Sequence, residues 1–385
     1  MGKTLASLLI VFTLAAALGC NCLCSQNAAL PAALPTPKTP APLQPGQPWS
    51  FAVSGDSRNC GDVVMPAIAQ GADRNNAQFY WHLGDLRAIY DFDEDMKQRA
   101  GMTGKPLTII EYEKTAWDDF RQNQIASFGG IPFFLGIGNH ETVKDLKTRD
   151  QFAATFADLL NRPELKDQRQ QDSSAQNHPV KPPKTYNHWI MDGIDFIYLD
   201  NATPDEFDAD QMQWFEEQIA RDQRDDSPVR TVVVGMHEAL PNSVSENHSM
   251  NQSADGGRSG IQVYKDLLQL QKKRTIYVLA SHSHYYMEDV FNTTYWQLNG
   301  GVLSGWIVGT AGAHRYALPK PNTAKVAKTN VYGYLLGTAN PQGRPAGTVT
   351  FEFKQLEERD IPLPVVRNYT QDFVHWCFVD NTDAK

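Results

Sequence analysis

Positive charge is in short supply in this sequence. Across 385 residues, 35 Lys and Arg face 44 Asp and Glu, a formal net charge of −9. A general nucleic-acid binder needs a basic surface to displace counterions from phosphates, so that class is excluded. A small phosphorylated substrate stays open, because a bound metal can dominate the local field. Cysteine is scarce as well: of five, Cys20, Cys22 and Cys24 sit near the start, leaving Cys60 and Cys377 for the body. An exported compartment permits a bond between those two, which would pin the C-terminal tail to the start of the folded region. Two separate buried thiols are the other reading, and the sequence leaves both open. The opening apolar run, Leu5 to Leu18, is too short to span a bilayer comfortably. There is no internal repeat. With 41% hydrophobic and 10% aromatic residues there is enough apolar material for a sizeable core, so disorder throughout is excluded.

The start reads as an export leader over residues 1–19. Lys3 supplies a basic end, Leu5 to Leu18 the apolar stretch, and Ala17-Leu18-Gly19 the small residues that a leader peptidase reads. Cys20 follows at once, so the segment also resembles a lipoprotein signal. Simple secretion and a lipid anchor at Cys20 are both expectations. Residues 20–48 form a Pro/Ala-rich tether, with seven prolines between Pro31 and Pro48. Proline gives no backbone donor and favours extended conformations, so a stalk or a processing remnant is expected. Sequons stand at Asn201, Asn247, Asn251, Asn292 and Asn368.

From Trp49 onward, short apolar runs alternate with amphipathic stretches. WSFAVSGD, QFYWHLGD and IPFFLGIGNHE are strand-like runs that end in small-residue turns carrying polar groups. Helical patterns cover Glu113 to Ala126 and Thr148 to Leu160. Two alternating runs joined by Asp192-Gly193 predict a hairpin. An amphipathic helix follows, with Asp208 or Asp210 near its start. RTVVVGMHE and TIYVLASHSH repeat the strand-then-turn pattern, and short strands fill the remainder to about residue 355. This predicts one α/β domain over 49–355, with sheets packed together and helices outside. The segment 356–385 packs on it or extends it. The polar stretches 91–112 and 161–184 read as long loops, either facing substrate or disordered.

Metal-type ligands recur at the strand ends: Asp56 in SGDSR, Asp85 in HLGDL, Asn139 and His140 in GNHE, His237 in GMHE, and His282 with His284 in SHSH. Strand ends of an open α/β sheet converge on one edge, where ligands bind. Carboxylate, imidazole and amide oxygen together suit Zn, Mn or Fe better than Ca or Mg. One residue separates the two histidines of SHSH, so they meet one centre only through a twisted turn, or else serve two metals. Singly, each of these residues reads as a cap or a packed polar group. The ordered set carries the inference.

In that order the series resembles the calcineurin-like metallophosphoesterase superfamily, nearest its purple-acid-phosphatase branch. Tyr186 to Asp200, Gln211 to Phe215 and Gly309 to Ala313 resemble further segments of that branch, and the likeness runs from about residue 50 to 355. The resemblance implies a four-layer α/β/β/α sandwich with a metal site at the strand C-terminal ends. It implies a pair of Fe, Mn or Zn ions, or a single one. Asp85 would bridge, Asp56 and His284 would complete one site, and Asn139, His237 and His282 the other. His140 would stabilise the transition state or protonate the leaving group. The implied activity is hydrolysis of phosphate esters on small substrates, by attack of a metal-activated water on phosphorus, with monoesters ahead of diesters. The alternative is a surface-anchored binding module on a degenerate version of the fold.

Three departures stand out. Where the superfamily has Asp-x-His, this chain has Asp56-Ser57-Arg58, and a guanidinium cannot ligate a metal. Arg58 would grip a phosphate oxygen or pair with Asp56. The Tyr of the purple branch is replaced by Ala88, with Tyr90 two residues late, so no purple colour is expected. Ser281 takes the place of a Gly before His282. Outside the set, His82 reads as a core histidine, Asp62 as a helix N-terminal charge, and Glu141 as orienting a neighbour. His188 and His248 read as structural or exposed, and His314 as a substrate contact.

Overall fold

A computed structural model describes residues 37–143, 147–176, 178–202, 204–320, 322 and 324–383. The expected leader and its Cys20 anchor lie outside the described residues. The second half of the expected tether, residues 37–48, runs along the body. Gly130 donates its N–H to Pro37 O at 3.0 Å, and the Gly46 N–H donates to Asp192 at 3.0 Å.

The described strands are β1 (Trp49–Ser54), β2 (Ala77–His82), β3 (Phe133–Leu135), β4 (Asn187–Met191), β5 (Ile194–Leu199), β6 (Thr231–Met236), β7 (Thr275–Ala280), β8 (Tyr286–Glu288), β9 (Ser304–Val308), β10 (Ala327–Lys328), β11 (Tyr332–Ala339) and β12 (Val349–Leu356). They form two mixed sheets, in the orders β12-β11-β1-β2-β3 and β10-β8-β9-β7-β6-β5-β4. β1, β2 and β3 run parallel in the first sheet, with β3 at its edge. β5, β6, β7 and β9 do so in the second.

Strand periodicity explains why the sheets stack. In β5, Phe196 and Tyr198 face the first sheet, while Ile197 and Leu199 face the helices outside. β6 divides the same way, with Val233 inward and Val232, Val234 and Met236 outward. Both faces of these strands are buried, which is why their sequences read as near-continuous apolar runs. Between the sheets lies an aromatic layer: Phe51 and Phe79 meet Phe196 at 5.0 and 5.1 Å, and Phe134 stacks on Trp189 at 3.9 Å. Helices Gly61–Arg74 and Ile109–Asn123 cover the first sheet. Helices Ala209–Asp222 and Ala254–Leu270 cover the second. The expected four layers are present.

Local signals hold up at several points. Asp192 and Gly193 take positive φ in the β4–β5 hairpin. Asp208 caps its helix through the Gln211 N–H at 2.8 Å, and Thr148 begins the helix Arg149–Thr155 with a capping box. The polar stretches differ from expectation. They hold helices Glu94–Met102 and Pro163–Gln176 rather than long loops. Their few buried positions supply anchors that composition alone hides. Cys60 and Cys377 form a disulfide with a Cα–Cα distance of 6.1 Å, joining the tail helix Gln371–Val379 to the start of Gly61–Arg74. Among the described residues no helix is long and apolar enough to cross a membrane.

His188 shows how the second polar stretch is held. Its ring is buried between Asp195 on β5 at 2.9 Å and Asp172 of Pro163–Gln176 at 2.8 Å. Burial alone would lower its pKa, but the two carboxylates outweigh it and raise the value from 6.5 to about 10. The folded protein therefore keeps a proton that the unfolded chain releases. That stabilisation is complete below pH 6.5 and is lost as pH rises toward 10. His188→Gln should destabilise the fold by about 3 kcal/mol at neutral pH, as expected for breaking a buried ion pair. Urea melts of both proteins should show the gap narrowing with rising pH; a constant gap would assign His188 no ionic role.

Candidate metal centre

The centre begins with three residues held in a backbone conformation that non-glycine residues seldom adopt. Asp56, Asp85 and His282 have φ of 62°, 60° and 64°. Each follows a parallel strand by two or three positions. Such local strain persists where surrounding contacts fix it. Here the Asp56 N–H donates to Gly84 O at 3.0 Å and the Ser57 N–H to Asp85 O at 2.9 Å, so the two turns brace one another. Gly138 is required for close approach: a Cβ there would stand 2.4 Å from Asp85 Oδ1.

Glu141 secures the Asp85 turn from behind. It accepts from the N–H groups of Asp85, Leu86 and Gly138 at 2.9, 2.9 and 2.8 Å. Beyond Leu86, the buried Arg87 joins Asp62 at 2.5 Å, Asp95 at 3.0 Å and Asp119 at 2.5 Å. Asp62 thus does more than charge a helix start. It ties the Asp85 turn to the helices outside the first sheet.

All six predicted ligands come together. Asp85, His237 and His282 form one group, and Asp56, Asp85 and His284 another; within each group the candidate atoms lie within 4.8 Å of one another. The two oxygens of Asp85 divide between the groups. Oδ1 lies 3.3 Å from His237 Nε2. Oδ2 faces the other side, 3.7 Å from Arg58 Nε. Asn139 Oδ1 is 2.9 Å from His237 Nε2, placing it with the first group. Of the two readings of SHSH, the structure fits the second: the two histidines serve different groups. His282 Nδ1 faces His237 Nε2 at 3.1 Å, while His284 Nε2 faces Asp56 Oδ1 at 3.3 Å.

The tautomers suit cation binding. His237 Nδ1 lies 3.0 Å from Leu83 O, and His284 Nδ1 lies 2.5 Å from His314 O. With Nδ1 engaged there, each ring turns Nε2 toward the centre. Asp56 Oδ1 and Asp85 Oδ2 are buried without a hydrogen-bond partner. On the other side, Asp85 Oδ1, Asn139 Oδ1, His237 Nε2 and His282 Nδ1 converge as a mixed oxygen and imidazole donor set of the kind a divalent ion takes, so these residues fit one.

Arg58 enters this centre rather than lying beside it. Its Nη2 is 3.0 Å from His284 Nε2, and its Nη1 reaches His140 Nε2. His140 in turn sets Nδ1 against Ala88 O at 2.6 Å, donates its backbone N–H to Asp85 Oδ1 at 3.0 Å, and carries the Tyr90 ring at 4.8 Å. Burial lowers the His140 pKa to about 4, so the ring is neutral. Tyr90 contacts His140 and none of the six ligands.

His314 requires correction. Its ring turns away toward the tail, to Asn381 at 3.0 Å and Asp383 at 2.8 Å, and only its carbonyl serves the centre. Four contributors escaped the sequence reading. Tyr316 stacks on His284 at 4.0 Å, and His248 packs edge-on to His282 at 5.4 Å. Ser281 Oγ is 3.1 Å from His237 Nδ1, so the residue in place of Gly helps to orient a ligand. Asn201 accepts the His237 and Glu238 N–H groups at 3.1 Å each; it is fully buried and its sequon cannot carry a glycan. Only the Ser281 change carried a signal, as a departure from the family pattern.

No protein-family model matches the sequence, and no curated protein matches it. Solved structures do match in shape. Purple acid phosphatase PPD1 from yellow lupin (Lupinus luteus) seeds superposes with a TM-score of 0.54 at 16% identity, over 81% of this chain and 52% of its own. The fold is that of the metallophosphoesterases. The chain spans about half the length of that phosphatase. Looser likenesses are PhoD, with a TM-score of 0.46 at 13% identity over 87% of this chain and 78% of its own, and GAP50, the anchor in the inner membrane complex of Plasmodium, at 0.44 and 9% over 87% and 96%. What the metallophosphoesterase fold contributes is the edge on which the strand ends gather; what gathers there is this chain's own set of side chains.

Proposed function

We propose that this chain is an exported, metal-dependent phosphoesterase acting on small phosphate esters, with monoesters preferred over diesters. The observation that carries the reading is Asp85. It is a buried carboxylate whose two oxygens face two adjoining groups of ligand atoms, on a fold shared in outline with a purple acid phosphatase. A divalent ion held by Asp85, Asn139, His237 and His282 would supply Lewis-acid polarisation of a phosphoryl oxygen and activation of water.

The chain's own groups do the remainder. Arg58 presents a forked donor to the non-bridging oxygens of the phosphoryl group. A terminal phosphate carries more charge than a diester, so this cation favours monoesters. His140 holds the guanidinium from behind. Next to His282, across His248, lies a polar cavity of about 680 Å³ lined by Asn242, Ser245, Asn247, Tyr285 and Lys320 among others. Its size and hydrogen-bonding walls suit a polar leaving group. Export is supported by the leader pattern and by the Cys60–Cys377 disulfide.

The test is turnover of p-nitrophenyl phosphate and bis-p-nitrophenyl phosphate after loading with Mn, Zn or Fe. Hydrolysis of the monoester ahead of the diester, lost on chelation, is expected. Turnover of neither substrate by metal-loaded protein would overturn the proposal.

A further inference from the structure

Two carboxylates, Asp56 and Asp85, face the centre with oxygens that no hydrogen bond satisfies. Together they bring two negative charges. One divalent ion and one guanidinium already exceed that total; a second divalent ion would leave the centre strongly positive. The guanidinium is also in place. Arg58 has a side chain only 11% exposed, with Nε 3.7 Å from Asp85 Oδ2 and Nη2 3.0 Å from His284 Nε2. That nitrogen is the lone pair which an ion between Asp56, Asp85 and His284 would need. Arg58 Nη1 is held by His140 on its far side, and Tyr316 stacks on His284, closing the wall beside it. The group of Asp85, Asn139, His237 and His282 holds no Lys or Arg: His237 Nε2 faces Asp85 Oδ1 at 3.3 Å, Asn139 Oδ1 at 2.9 Å and His282 Nδ1 at 3.1 Å.

We infer that Arg58 is a built-in replacement for a second metal ion, so that the chain holds one divalent ion, at Asp85, Asn139, His237 and His282, and the guanidinium neutralises the Asp56–Asp85–His284 side. An arginine cannot lose its charge at any working pH, and a second ion beside it would meet like-charge repulsion in a buried site. The exchange also changes what the site offers. A metal offers a point charge with open coordination positions. A guanidinium offers a planar fork that matches two oxygens of one phosphoryl group. The inference rests on the proposed metal centre but not on hydrolysis itself.

The experiment is metal counting on the full chain. Protein is equilibrated with excess Mn²⁺, dialysed and assayed by elemental analysis, with calorimetric titration and Mn electron paramagnetic resonance in parallel. The unaltered chain should retain one ion with the signal of an isolated Mn²⁺. Arg58→His removes the fixed charge and adds an imidazole, and should double the count to two ions with a spin-coupled signal. Arg58→Lys keeps a charge there and should stay at one. Should Arg58→His misfold, Arg58→Gln serves the same end and should gain a second, weaker ion. Two tightly held ions in the unaltered chain would overturn the inference, as would one ion or none in both neutral-charge variants, or none in the parent. One ion in the parent and two in the variants, with no phosphate ester hydrolysed, would uphold the inference and remove the proposed function instead.

Discussion

Asp85→Asn should cost this protein about 10³-fold in phosphate-ester turnover, the upper range for removing one preorganised charged group, and should strip its metal. The substitution is nearly isosteric. An Asn Oδ1 can still accept the His140 N–H that Asp85 accepts at 3.0 Å, and the Glu141 contacts to the turn's backbone do not involve the side chain at all. The fold should therefore survive, and the loss should be electrostatic. Asp85 serves both ligand groups, whereas Asp56 serves one. Asp56→Asn should accordingly leave metal bound by Asp85, Asn139, His237 and His282 while loosening Arg58. The pair of variants separates a bridging carboxylate from a flanking one. Elemental analysis beside p-nitrophenyl phosphate turnover provides the check, and equal effects of the two variants would refute the bridging role of Asp85.

Much of this centre was legible because its residues sit where strands stop. Asp56, Asp85, Asn139, His237 and His282 each follow an apolar run by one to four positions, and the turn between is short. A strand of fixed rise ending at a common edge leaves little freedom for what comes next, so order along the chain translates into proximity. Tyr316 and His248 lack that constraint. Tyr316 comes from an irregular segment and His248 from a single 3-10 turn, and both depend on packing far from their own sequence. His314 was misread for the same reason: the GTAGA turn brings it to the edge, but the tail residues Asn381 and Asp383, almost seventy positions later, draw its ring away. The helices Glu94–Met102 and Pro163–Gln176 were invisible for a different cause. Their positions are mostly polar and at least partly exposed, and the few buried anchors, Asp95 in one and Leu165 in the other, fall short of a periodic signal. Arg58 was legible as a departure; only the structure shows that its guanidinium points inward, onto His284 and His140.

His140 is the place where role and position can be told apart. His140→Ala should slow turnover by about 10²-fold, the lower range for removing one preorganised electrostatic contributor, while metal content stays near that of the parent. The backbone N–H that steadies Asp85 Oδ1 survives in the variant, so the ligand cage keeps its shape. What disappears is the ring that presses on Arg58 from one side and takes Tyr90 on the other. In this geometry Nδ1 donates to Ala88 O, and Nε2 accepts from Arg58. A neutral ring so engaged has no proton to hand to a leaving group. It acts through the guanidinium, and a double-mutant cycle tests that directly. If His140 works by positioning Arg58, then His140→Ala combined with Arg58→Gln should be no slower than Arg58→Gln alone, and His140→Gln should recover part of the rate by offering Arg58 an amide oxygen. Independent, multiplying losses with no rescue would place His140 on the substrate itself.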